Sequence, residues 1–106
     1  MSTFQENLKK LPGISHLAGI NLLDDEGNIV AILENKPGQA GSVAVYNYLA
    51  QIHGAITPQA AAKGIELYAE HSEDARLNPG KHPNIDRLIK LQEEQRTLRI
   101  KHLFAV

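Results

Sequence analysis

Two polar stretches of this 106-residue chain hold residue types that chemistry needs. The first is Asn35-Lys36-Pro37-Gly38-Gln39-Ala40-Gly41-Ser42, between the end of a strand pattern and the start of a helix pattern. Amides at a helix N-terminus, at the positive end of its dipole, favour anions. Lys36 adds charge, and Asn35, Gln39 and Ser42 add hydrogen-bonding groups. This is not a Walker A loop, because no lysine follows the last glycine. The plainer reading is a tight strand-to-helix connection with Ser42 capping the helix.

The second stretch runs from His71 to Arg87. An imidazole exchanges protons near neutral pH, so His71 or His82 is the candidate acid or base, with Asp74 or Asp86 to orient it. Arg87 suits a bidentate grip on a carboxylate. The plainer reading is turn and helix-end chemistry. Asn78-Pro79-Gly80 makes a turn, His82 or Asn84 caps the next helix, and Asp86 favours its positive start. If the two stretches line one cleft, they predict a site for a small carboxylate or phosphate ester. Asn35, Lys36, Gln39, Ser42 and Arg87 would bind it, and His71, His82 and Asp74 would move its protons. One exposed ion pair contributes about 0–1 kcal/mol, against about 4 kcal/mol for millimolar binding, so convergence is required.

Other chemistries find less support. The chain has no cysteine, which excludes disulfides, iron–sulfur clusters, thiolate zinc sites and cysteine nucleophiles. His16, His53, His71, His82 and His102 lack HExxH or His-x-x-x-His spacing, and no metal is expected. Ser15, Ser42 and Ser72 lack the Gly-x-Ser-x-Gly context, and no dinucleotide fingerprint follows a strand, so no cofactor is expected. Net charge is −1, with two Phe and three Tyr, which argues against a nucleic-acid partner. No apolar stretch approaches the ~20 residues that span a membrane, and the N-terminal residues lack the basic and apolar regions of a signal peptide. The expected location is the cytoplasm.

The elements that must position these groups are legible in outline. Thr3 and Glu6 form a capping box ahead of a helix over about 4–11, ended by Pro12-Gly13. Strands over about 17–24 and 28–34 flank Asp24-Asp25-Glu26-Gly27-Asn28, a hairpin turn. The run Ile29-Val30-Ala31-Ile32-Leu33 suggests a strand that is central or covered on both faces. A helix over about 42–53 carries an apolar stripe of Val45, Tyr48, Leu49 and Ile52, with Gly54 after its end. Tyr46 and Tyr48 cannot share a helix face, so one is core. Thr57 and Pro58 start a helix to about 70, in which Ala60, Ala61 and Gly64 permit a close crossing. From His71 to Pro83 the chain is polar and rich in breakers. A helix over about 84–94 buries Ile85, Leu88 and Ile89, and Thr97 to Leu103 alternates as a half-buried strand.

The predicted fold is α+β, a single domain over residues 1–106 in the order α-β-β-α-α-α-β. A small three-stranded, largely antiparallel sheet carries helices packed on one face. Such a sheet has two edges, and edge-to-edge pairing in a homodimer protects them. A non-enzymatic interaction module, either a homodimer or a subunit of a larger assembly, is therefore the alternative to a ligand site.

Three segments resemble a known family: Asn35 to Gln39, Val45-Tyr46-Asn47-Tyr48-Leu49, and the run from Ala69 to Leu88. They are similar to a small group of bacterial proteins called domain of unknown function 2322, over nearly the whole chain. The resemblance implies a stand-alone bacterial cytoplasmic domain, and it carries over no catalytic residue.

Overall fold

A computed structural model describes residues 2–106. Its elements are α1 (Phe4–Leu8), β1 (Leu17–Leu23), β2 (Ile29–Glu34), α2 (Ala40–His53), α3 (Pro58–Tyr68), α4 (Glu70–Leu77), α5 (Pro83–Glu94) and β3 (Arg99–Phe104). The α+β fold is as predicted: one open antiparallel sheet in the order β2-β1-β3, with helices on one face.

Local chemistry sets most boundaries. The Thr3 hydroxyl accepts the Glu6 amide at 3.2 Å, and the Glu6 carboxylate accepts the Thr3 amide at 3.3 Å, closing the capping box of α1. Asp24 Oδ1 accepts the amides of Glu26 and Asn28, both at 2.9 Å, and Gly27 takes φ 85° to close the hairpin. Thr57 accepts the Ala60 amide at 3.0 Å, and Pro58 opens α3 without an amide to satisfy.

The sheet corrects one expectation. β2 is an edge strand, with Ile29, Val30 and Ile32 all more than half exposed. β3 returns to pair with the far side of β1, so β1 takes the centre with Leu17, Ile20 and Leu22 buried. The apolar run of β2 has one face on the core, through Leu33, and the other open.

Helix α2 also differs in its buried face. Val43, Val45, Tyr46 and Leu49 are fully buried, whereas Ile52 projects outward. The helix packs on the sheet and on α3 together, so its apolar arc is wider than one stripe. Tyr46 is the core tyrosine and Tyr48 is half-buried. Gly64 lies where α3 crosses its neighbours: an added Cβ would stand 2.7 Å from Leu88 Cδ1 and 2.9 Å from Leu49 Cδ1.

Part of the stretch from 71 to 83 is helical. α4 follows α3 after the single residue Ala69, at φ 51° and ψ −116°. Glu70 and Glu73 sit in its first turn, where carboxylates favour the dipole. Buried Ser72 donates to the Ile65 carbonyl at 2.5 Å, tying α4 back to α3 across the break. No helix among the described residues is long and apolar enough to cross a membrane.

Candidate functional site

A concavity of about 420 Å³ opens where α1, the start of α2 and the ends of α3, α4 and α5 meet. Phe4 and Leu8 form one wall. Gly38, Ala40, Gly41 and Ser42 form the second. Tyr68, His71, Lys81 and His82 form the third. The two polar stretches singled out in the sequence therefore share one cleft.

The α1 wall is held by specific contacts. The Phe4 amide donates to Glu70 Oε1 at 2.8 Å, and this bond holds the Glu70 carboxyl below its usual range. The Phe4 ring stacks on Tyr68 and meets His71 edge-on, both at 5.1 Å between centroids. Gly41 makes room for it: a Cβ there would lie 3.1 Å from Phe4 Cζ.

The second wall is the open end of a 14-residue helix. Gln39 occupies the N-cap without a side-chain bond, and the amides of Gly41 and Ser42 have no intramolecular partner among the described residues. Ser42 therefore does not cap the helix, which starts two residues earlier. Its hydroxyl accepts the Tyr68 hydroxyl at 2.6 Å, leaving its own proton to donate elsewhere. Burial pushes the Tyr68 phenol well above its usual range, so it is a neutral donor.

The third wall carries the titratable groups. His82 Nε2 lies 2.7 Å from Asp74 Oδ2, and the His71 and His82 rings are 5.6 Å apart. Asp74 stands behind His82 and also receives Lys81 at 3.0 Å and the Asn78 side-chain Nδ2 at 2.9 Å. The His82 bond and then Lys81 bring its carboxyl down to about 2. A carboxylate only accepts, so the bonded His82 nitrogen carries a proton, and Nδ1 is the free acceptor of the neutral ring.

His71, His82 and Ser42 thus line the cleft, with Asp74 as the orienting partner. The remaining predicted site residues are engaged elsewhere. Asn35 Nδ2 donates to the carbonyls of Ile14 at 3.0 Å and Leu17 at 2.8 Å, pinning the loop to the start of β1. Lys36 pairs with Glu34 at 3.0 Å on the surface. Gln39 Oε1 accepts the Glu34 amide at 3.1 Å. Arg87 donates to Asn84 Oδ1 at 2.9 Å and the Tyr46 hydroxyl at 3.2 Å, and it faces a separate hollow beside Val30 and Leu91. Asp86 accepts the Gly80 amide at 2.9 Å, which is turn chemistry. Neither His82 nor Asn84 caps α5 through its side chain.

The sequence reading gives Lys81, Phe4 and Tyr68 no role at the site. Lys81 was detectable, because it adjoins His82. Phe4 and Tyr68 were not, since their meeting depends on how α1 packs on α3. A further hollow of about 510 Å³, lined by Lys10, Tyr48 and Lys63, holds none of the predicted site residues. No three His, Asp or Glu side chains converge as a metal-ligand set among the described residues.

No curated protein and no solved structure matches the chain. The family described as an uncharacterised protein conserved in bacteria (DUF2322) matches residues 4–102. That span runs from the first residue of α1 well into β3 and takes in every residue of the cleft. The chain belongs to the DUF2322 family of uncharacterised proteins conserved in bacteria.

Proposed function

We propose that the cleft binds a small anion, a carboxylate or a phosphate ester, and that His82, oriented by Asp74, carries a proton to or from it. One juxtaposition supports this reading above all others. Gly41 and Ser42, whose amides are unpartnered, line the same concavity as His71, His82 and Lys81. An anion on those amides gains from the helix dipole, about 0.3–1 kcal/mol and up to ~2 when partly buried. Charge-assisted hydrogen bonds add about 1.5–3 kcal/mol each. Two such bonds with the dipole reach the ~4 kcal/mol of millimolar affinity. The basic groups of this reading are Lys81, His71 and His82. Lys36 and Arg87 have no part in it.

The proton role follows from orientation. With Nε2–H directed to Asp74, His82 presents Nδ1 as base, and after accepting a proton it can return it as acid. The chemistry is acid–base transfer on a bound anionic substrate, or binding alone where no proton moves.

The test is an NMR titration with inorganic phosphate, acetate and a panel of phosphate monoesters. The expected result is saturable shifts of the Gly41 and Ser42 amides and of the His71 and His82 ring signals, weakened in Lys81→Ala. Shifts spread over surface lysines without saturation, or none at these positions, reject the reading. At one hundred times Kd, binding adds about 2.7 kcal/mol to stability, a rise of several degrees in melting temperature.

A further inference from the structure

Arg87 lies outside the cleft, yet its side chain is fixed in place. Its Nη1 donates to Asn84 Oδ1 at 2.9 Å and to the Tyr46 hydroxyl at 3.2 Å. The guanidinium carbon stands 5.8 Å from the centre of the Tyr46 ring. Tyr46 is fully buried and donates its own proton to the Asn84 carbonyl at 2.6 Å. One core residue and one residue of the same helix therefore hold the guanidinium.

Both of those partners are neutral. Burial keeps the Tyr46 phenol protonated, and Asn84 offers only an amide oxygen. No carboxylate lies within ion-pair distance of Arg87 among the described residues. A charge drawn partly out of water with no counter-ion is costly, so its position asks for an anion. The Nη1 protons are used, whereas Nε–H and the Nη2 protons have no partner among the described residues. Paired N–H groups of this kind grip a carboxylate bidentately.

Arg87 lines a hollow of about 190 Å³ between α5, β2 and the chain entering β3. Lys90 and Arg96 line it too, against one carboxylate, Glu94, which Arg96 already holds at 3.4 Å. Lys90, like Arg87, has no ion-pair partner among the described residues. The rest of the lining, Val30, Leu91 and Leu98, is apolar. At roughly 30 Å³ per water, the hollow has room for about six waters. That is less than the ~300–1,000 Å³ of a site for drug-sized ligands.

We infer that this hollow binds a short-chain carboxylate, its oxygens on the free Nε and Nη2 groups of Arg87 and beside Lys90, its hydrocarbon end against Val30 and Leu91. A planar, two-oxygen anion matches the paired donors, and the apolar lining favours a short hydrocarbon tail over a bare ion. The site uses none of His71, Lys81 and His82, so this inference and the ligand reading stand or fall separately.

The test is an NMR titration of the full chain with acetate, butyrate and uncharged butyramide, read at Arg87 Nε–H and the Val30 and Leu91 methyls. Butyrate should shift these signals saturably in the millimolar range and bind more tightly than acetate, while butyramide does not saturate. Arg87→Lys keeps the charge but loses the paired donors, and should weaken butyrate about tenfold. Lys90→Ala, at an exposed position, should weaken it less and keep the melting temperature. The His71 and His82 ring signals report the cleft independently. Butyrate shifts confined to those rings, butyramide binding as tightly as butyrate, or an affinity that neither variant lowers, overturns the proposal.

Discussion

His82 Nε2 and Asp74 Oδ2, eight positions apart in sequence, lie 2.7 Å apart across the turn that joins α4 to α5. With Lys81 and Asn78 on the same carboxylate, this pair fixes the geometry of the cleft's third wall. It also links the wall to pH.

The Asp74 carboxyl is held at about 2, below its ordinary 3.8. A depressed carboxyl contributes stability that is fully present above the unfolded value and is lost as pH falls through the folded one. The difference in melting temperature between wild type and Asp74→Asn should therefore be constant above about pH 5 and shrink from pH ~4 to pH ~2. Thermal melts across that range check it. A difference unchanged at the acid end would show that the carboxylate's partners contribute nothing to the fold.

The alkaline limb belongs to two buried tyrosines. Burial pushes Tyr46 up to about 12, against an ordinary 10, and raises Tyr68 as well. Above pH ~10 the unfolded chain loses these protons while the folded chain keeps them, so stability falls as pH rises. Tyr46→Phe should unfold less steeply between pH ~10 and ~12, as followed by circular dichroism alongside phenolate absorbance.

Gly19, in the central strand, has no room for a side chain: a Cβ there would collide with the backbone carbonyl oxygen of Leu33 on β2. Backbone cannot yield as a side-chain tip does. Gly19→Ala should cost about 1–3 kcal/mol by forcing β1 and β2 apart. Denaturant titration measures it, and a stability within error of wild type refutes the contact.

Ala69 adopts φ 51° and ψ −116° between α3 and α4, a region that L side chains rarely enter. Such strain costs about 1–3 kcal/mol. Ala69→Gly relieves it and loses about 0.4–1 kcal/mol through the freer unfolded chain. The expected net is a gain of about 1 kcal/mol, or roughly 4–8 °C in melting temperature. A lower melting temperature would mean that the methyl group's packing outweighs the strain.

The parts of the fold written in short-range chemistry were legible. The capping box at Thr3 and Glu6, the turn around Asp24 and Gly27, and the Thr57-Pro58 helix start each depend on residues within a few positions. Pairing across the sheet was not legible. β2 reads as central or covered on both faces because its apolar run says nothing of where β3 returns. The start of α4 at Glu70 was hidden for a different reason. Alanine is the best helix former, so Ala69 gives no sign of a break. In the candidate site, the His82 partner was narrowed to Asp74 or Asp86, and a turn of a few residues decided between them. Arg87 was misplaced because α5 turns it toward Tyr46 and Asn84, a consequence of helix phase against the core.

The bond from the Phe4 amide to Glu70 closes a circuit between positions 66 apart. The cleft is thus assembled from the beginning, middle and later part of the chain, and no fragment can present it alone. Occupancy of the cleft would report on completion of the entire tertiary structure, so a molecule that fits it would rescue destabilised variants wherever their lesions lie.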